Sequence, residues 1–173
     1  MFKDIQKLFD DYNLFARQIA NVRLSNLSFH VYEFRDNYEM QVDIIFAEKS
    51  QFDNIQEAFS AILKKELFDG EEWDIHDETN PSDEQWLTAL ENFWVNNYYP
   101  QKNICIELVN QGEFLCRFQN ELAYLNVTEP IVKELLTKLN HIETIQLIKG
   151  YTYDYIFGQS DSHYFVFEWG IYD

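Results

Sequence analysis

Apolar and polar positions divide the chain into stretches with a helical period and stretches with a strand period. Ile5, Leu8, Phe9, Tyr12, Phe15, Ala16 and Ile19 recur at the spacing of one helix face, which predicts an amphipathic helix over Lys3 to Ala20. Leu27, Phe29 and Val31 then alternate with Ser28, His30 and Tyr32. After a polar turn at Arg35 to Tyr38, Met40, Val42, Ile44 and Phe46 alternate with Gln41 and Asp43. This is the pattern of a β-hairpin. With Asp36-Asn37 as a two-residue turn, the register pairs Val31 with Val42, Phe29 with Ile44 and His30 with Asp43.

A second helix carries Ile55, Phe59, Ile62, Leu63 and Leu67 on its buried stripe, with Asp53 or Asn54 to cap it and Gly70 past its end. A third starts at Ser82, whose hydroxyl and Gln85 make a capping box, and runs through Trp86, Leu90, Phe93 and Trp94 until Pro100 stops it. The runs Asn103 to Val109 and Glu113 to Gln119 flank Gln111-Gly112 and predict a second hairpin. Thr128, Glu129 and Pro130 open a fourth helix with Ile131, Val132, Leu135, Leu136 and Leu139 inward, proline being tolerated in a first turn. A short strand at Ile145 to Lys149 precedes two aromatic alternations, Tyr151, Tyr153, Tyr155, Phe157 and His163, Phe165, Phe167, Trp169. These predict a third hairpin whose two aromatic sets share one face of the sheet. The fold class expected is α+β, an antiparallel sheet built from about three hairpins packed against about four helices. No linker or composition break interrupts the chain, so residues 1–173 read as a single domain.

Composition supports a packed core. With 46% apolar and 17% aromatic residues, a chain of 173 residues buries enough surface to offset its ordering entropy. No run of about 18 apolar residues is present, and Met1-Phe2-Lys3-Asp4-Ile5 lacks the basic and apolar regions of a secretory signal. The expectation is a cytoplasmic protein with no membrane partner. Cys105 and Cys116 have no CxxC spacing, and both lie in apolar strand-like patterns that predict buried thiols. A two-residue turn at Gln111-Gly112 would set them diagonally on one face, leaving a disulfide open.

Charge changes the picture most. Thirty acidic against thirteen basic side chains give a formal net charge of -17, which disfavours nucleic acid as a partner and favours a basic protein. From Glu66 to Gln101 there is no lysine or arginine, and Asp69, Glu71, Glu72, Asp74, Asp77, Glu78, Asp83 and Glu84 gather around an acidic loop at about 69–84. Carboxylates crowded within a Debye length of about 8 Å repel one another unless a partner supplies positive charge. Trp73, an aromatic inside this loop, has the composition of an interface anchor within a polar rim. These nine residues are the candidate partner-binding set.

Motifs for catalysis are missing from the sequence. There is no GxSxG elbow, no GxGxxG and no GKS or GKT, so neither an activated nucleophile nor a phosphate cradle is indicated, and no cofactor is expected. The histidines His30, His76, His141 and His163 form no HxxxH or HExxH array, and Asp74, His76, Asp77 and Glu78 lack the spacing of an EF-hand loop, so no metal ligand set is assigned. His30 opposite Asp43 would be an exposed cross-strand contact rather than an acid–base pair. The expectation is a binding protein and not an enzyme.

A small, acidic α+β chain without catalytic motifs resembles bacterial immunity proteins, which bind and neutralise a cognate toxin domain, often a basic nuclease. The resemblance rests on size, charge and the absent motifs, and carries over no residues. It implies that the acidic loop would occupy the toxin's nucleic-acid groove. Two other readings stand beside it. One is a small regulatory or adaptor domain that uses the aromatic C-terminal hairpin. The other is a metal-assisted enzyme built on Asp74, His76, Asp77 and Glu78 or on scattered carboxylates brought together by folding.

Overall fold

The computed structural model describes residues 2–36, 39–69, 81–93 and 106–171. The fold is α+β. The chain divides into two compact units, each made of two separated segments: Met1–Ser28 with Gln51–Ile104, and Phe29–Ser50 with Cys105–Asp173. This interleaving leaves no linker or shift in composition for the sequence to display.

The first unit is helical among the described residues: α1 (Lys3–Asp10), α2 (Tyr12–Asn21), α3 (Ile55–Asp69) and α4 (Asp83–Glu91). The single helix expected over Lys3 to Ala20 is two. Asp11 leaves helical geometry (φ -138°, ψ 86°) and its carboxylate accepts the Leu14 N–H at 3.0 Å. An aspartate that caps a new helix outweighs the apolar period that runs through it. Phe9 of α1 and Phe15 of α2 each lie 5.8 Å from the Phe59 ring of α3, which is buried without interruption from Ala58 to Leu63. Asn54 caps α3 by accepting the Glu57 N–H at 2.9 Å, and Glu57 reaches back to the Asp53 N–H. The capping box of α4 forms as expected: Ser82 accepts the Gln85 N–H at 3.3 Å and Gln85 accepts the Ser82 N–H at 2.8 Å.

Lys64 closes the other end of α2. Its ammonium donates to the carbonyls of Ile19, Ala20 and Val22 at 2.9, 3.2 and 2.8 Å and stands 4.9 Å from the Trp86 ring centre. Carbonyls left over at a helix C-terminus favour a cation, so this lysine does the work of a C-cap. Burial lowers its pKa.

The second unit holds the sheet: β1 (Phe29–Arg35), β2 (Met40–Glu48), β3 (Glu107–Val109), β4 (Glu143–Lys149), β5 (Tyr153–Gln159) and β6 (His163–Ile171), with α5 (Gln111–Tyr124) and α6 (Glu129–Thr137). The order is β1-β2-β6-β5-β4-β3 and the neighbours are antiparallel. The expected middle hairpin is not there. Of its two runs only Glu107–Val109 is a described strand, and Glu113 to Gln119 lies inside α5. The Asn110 side chain accepts the Gly112 N–H at 2.8 Å and starts a helix where a turn was expected. Phe114, Phe118 and Leu122 are four apart, a spacing that fits both periods; the helical one shows in Leu115 and Leu125, which pack against the same core.

Two registers also differ from expectation. Asp36 donates its N–H to the Met40 carbonyl at 3.1 Å, and Val31 sits opposite Ile45 instead of Val42. Tyr32 and Phe34, paired with Ile44 and Val42, therefore turn to the core and Val31 is 41% exposed. In the C-terminal hairpin Tyr155 pairs with Glu168 and Ile156 with Phe167, which puts the two aromatic sets on opposite faces of the sheet. Phe165 and Phe167 pack with Phe46, Phe114 and Phe118 at centroid distances of 5.6–5.7 Å, while Tyr153, Tyr155 and Phe157 are buried on the other face. Gly158 makes room for this cluster. A Cβ there would press on the Phe165 ring and come within 2.7 Å of the Thr144 methyl carbon. Among the described residues no helix is long and apolar enough to cross a membrane.

Candidate functional site

The acidic segment is bracketed by two helices of the helical unit. Asp69 is the last residue of α3 and is ion-paired with Lys65 one turn earlier. Asp83 and Glu84 are exposed in the first turn of α4, where the helix dipole favours them. Glu71, Glu72, Trp73, Asp74, Asp77 and Glu78 lie outside the described residues, as do His76, Trp94, Tyr98, Tyr99 and Cys105. Cys116 is exposed on α5 and not a buried strand thiol.

The aromatic hairpin is mostly interior. Tyr153, Tyr155, Phe157, Phe165 and Phe167 are buried and Trp169 is partly so, while Tyr151, in the turn before β5, is fully exposed. Among the described residues, no group of three His, Cys, Asp or Glu side chains is placed to hold a metal ion. The expected contact of His30 with Asp43 is replaced by His30 opposite Phe46. His141 instead meets Asp161 at 2.8 Å, an exposed pair in which the carboxylate raises the imidazole pKa. Ser162 meets His163 at 2.8 Å, and burial, with Lys138 and His30 nearby, lowers that imidazole despite Glu48.

Two arrangements in the sheet unit were not legible in the sequence. One is an inward charge pair. Arg117 of α5 forms an ion pair with Asp154 of β5, whose side chain is 5% exposed, and Gln146 of β4 donates to the other carboxylate oxygen at 2.6 Å. Arg117 also lies 5.6 Å from the Trp169 ring centre. Burial raises the pKa of the adjacent Glu121, with Arg117 and the Trp169 indole opposing and Asp154 reinforcing. The indole N–H is buried beside that carboxylate without a hydrogen bond of good geometry. A lone aspartate inside Tyr153-Asp154-Tyr155-Ile156-Phe157 is the signal that could have found the pair, because an acid in a buried strand needs a partner.

The other arrangement is a row of carboxylates. Register sets Glu33 of β1 opposite Asp43 of β2, and Asp43 opposite Glu168 of β6. One Asp43 oxygen accepts from Gln41, and the other is buried with no hydrogen-bond partner. Burial pushes the carboxyl up to about 6, with Glu33 adding to the rise and Gln41 and Arg35 opposing it. Since an unfolded aspartate titrates near about 3.9, the folded state holds an extra proton between about pH 4 and 6. Stability is therefore expected to fall as pH rises through that window. Asp43→Asn removes the titration and should stabilise the chain at pH 7 by about 1–3 kcal/mol. Urea unfolding of both proteins from pH 4 to 7 checks this, and parallel profiles would contradict it.

No family model matches the chain, and no curated protein or solved structure was found that matches it. The functional reading therefore stands on charge and geometry.

Proposed function

We propose that the chain is a binding protein that neutralises a basic protein partner through its acidic segment, and that this partner is a toxin domain, such as a nuclease. That is the role of an immunity protein. The observation that carries the reading is the stretch from Glu66 to Gln101, which has no lysine or arginine in a chain of formal net charge -17. Its flanks support it. Asn54 and Ser82 cap α3 and α4, the helices from which the segment departs and to which it returns. Self-repulsion among the carboxylates is relieved when a cationic surface docks, and the same field steers association, up to about 10⁸–10⁹ M⁻¹s⁻¹ at low salt. Trp73 supplies the apolar anchor that charge alone lacks.

The test is the quadruple variant Glu71→Lys, Glu72→Lys, Asp74→Lys, Asp77→Lys, titrated beside the wild-type chain against basic nuclease toxin domains. Turning two or more opposite-signed pairs into like-signed ones predicts weakening by about a hundredfold, with an unchanged thermal melt. Wild-type affinity in the folded variant would remove the acidic segment as the binding surface.

A further inference from the structure

Among the described strands β1 is the outermost on its side of the sheet, and its seven residues pair with β2 without a bulge. The bond from Asp36 N–H to the Met40 carbonyl sets the phase of the ladder. Bonded pairs alternate in an antiparallel ladder, so His30, Tyr32 and Phe34 turn their backbone groups toward β2 while Phe29, Val31, Glu33 and Arg35 turn theirs outward. Among the described residues nothing hydrogen-bonds these outward N–H and C=O groups. Val31, Glu33 and Arg35 are exposed. β1 contains no proline, and the opposite edge, β3, is only three residues long. Shortness blunts β3 as a pairing template; among the described residues β1 carries instead the charges of Glu33 and Arg35, which restrict what can pair with it.

The side chains at this edge select its occupant. Glu33 begins the row that continues inward through Asp43 and Glu168, so negative charge runs up to the open edge on one face. A strand laid along β1 sets a side chain about 5 Å from Glu33 on that face. Lysine or arginine there gains a carboxylate partner, and its long stem covers Val31. Arg35, two residues along, prefers a neutral or acidic neighbour. A second copy of the chain fits poorly, because each copy carries a formal charge of -17 and pairing centred on Glu33 sets Glu33 against itself. We infer that the outer edge of β1 accepts an extended basic peptide segment as an added strand of the sheet, a site built from other residues than those of the acidic segment.

The experiment uses the full chain and a blocked ten-residue peptide alternating lysine and valine. Hydrogen exchange of the free chain should show Tyr32 and Phe34 amides protected and Val31, Glu33 and Arg35 amides open. Peptide should slow the second group by about tenfold or more. Val31→Pro removes an outward N–H and spares the ladder to β2, so it should weaken binding about tenfold without lowering the melting temperature. Glu33→Lys should shift preference to a glutamate–valine peptide. Should Val31→Pro not fold, the wild-type chain with a peptide N-methylated at alternate residues gives the same reading, with loss of binding expected. No binding at millimolar peptide, or binding without protection at β1, overturns the inference. So does a wild-type dimer that Val31→Pro dissociates, which would assign the edge to a second copy. Wild-type affinity in Val31→Pro, with loss in the quadruple lysine variant, would place the peptide on the acidic segment instead and leave the proposed function standing.

Discussion

Arg117→Met is expected to destabilise the chain by about 3–5 kcal/mol, because it strands the carboxylate of Asp154 in the interior. Asp154 sits in β5 with its side chain 5% exposed, and its two oxygens are taken by Arg117 and by the Gln146 amide. Methionine keeps an apolar stem of similar length and removes the guanidinium, together with its place over the Trp169 ring. The folded state must then hold a buried, half-satisfied anion or take up a proton, and both choices cost. Replacing both partners separates this from lost packing. Arg117→Met with Asp154→Leu should recover most of the loss, since a buried pair exchanged for apolar groups is often close to neutral. Urea unfolding at pH 7 measures each difference. A loss below about 1 kcal/mol for Arg117→Met would mean that solvent, and not the guanidinium, satisfies Asp154.

Phe165→Ala should cost a similar amount, about 3–5 kcal/mol, by a different route. The ring is fully buried, its centre 5.7 Å from Phe46 and 5.6 Å from Phe114, and its edge occupies the space that Gly158 leaves open. Removing it deletes apolar contact and leaves a cavity among rings held by a sheet on one side and α5 on the other. A chain of this size would melt on the order of 10 °C lower. A much smaller shift in calorimetry would mean that Phe114 and Phe46 collapse into the gap. The two substitutions probe opposite ends of the same helix contact, one polar and one apolar. Neither residue belongs to the acidic segment or to β1, so each should leave binding by those residues intact in the folded fraction.

The local signals read well where one residue type dictates one geometry. Ser82 and Gln85 form the capping box their spacing announces, Asn54 caps α3, and Pro130 lies in the first turn of α6. The failures share a cause. Asp11 and Asn110 are also cappers, but each sits where an apolar or strand-like period runs past it and masks the capping signal. Phe114, Phe118 and Leu122 belong to helix and strand periods alike, so their spacing does not distinguish the two. For the acidic segment the sequence supplies its composition and its bounds, and the described structure adds the helices that flank it. The open edge of β1 has no sequence signature at all, since an edge strand and an inner strand can share the same alternation.

By itself, the sequence determined the α+β class, the apolar faces of α2, α3, α4 and α6, and the concentration of negative charge between Glu66 and Gln101. Each follows from local spacing or from a count. Tertiary structure alone decided which strands are neighbours and in what register. Alternation says which residues of one strand share a face, but not which residue of the next strand lies opposite. The connection from β5 to β6 sets Tyr155 against Glu168, and that parity sends the tyrosines and phenylalanines to opposite faces of the sheet. The same register lines up Glu33, Asp43 and Glu168, and packing of α5 brings Arg117 to Asp154. Such long-range pairings depend on loop geometry and on the core as a whole, which no window of neighbouring residues contains.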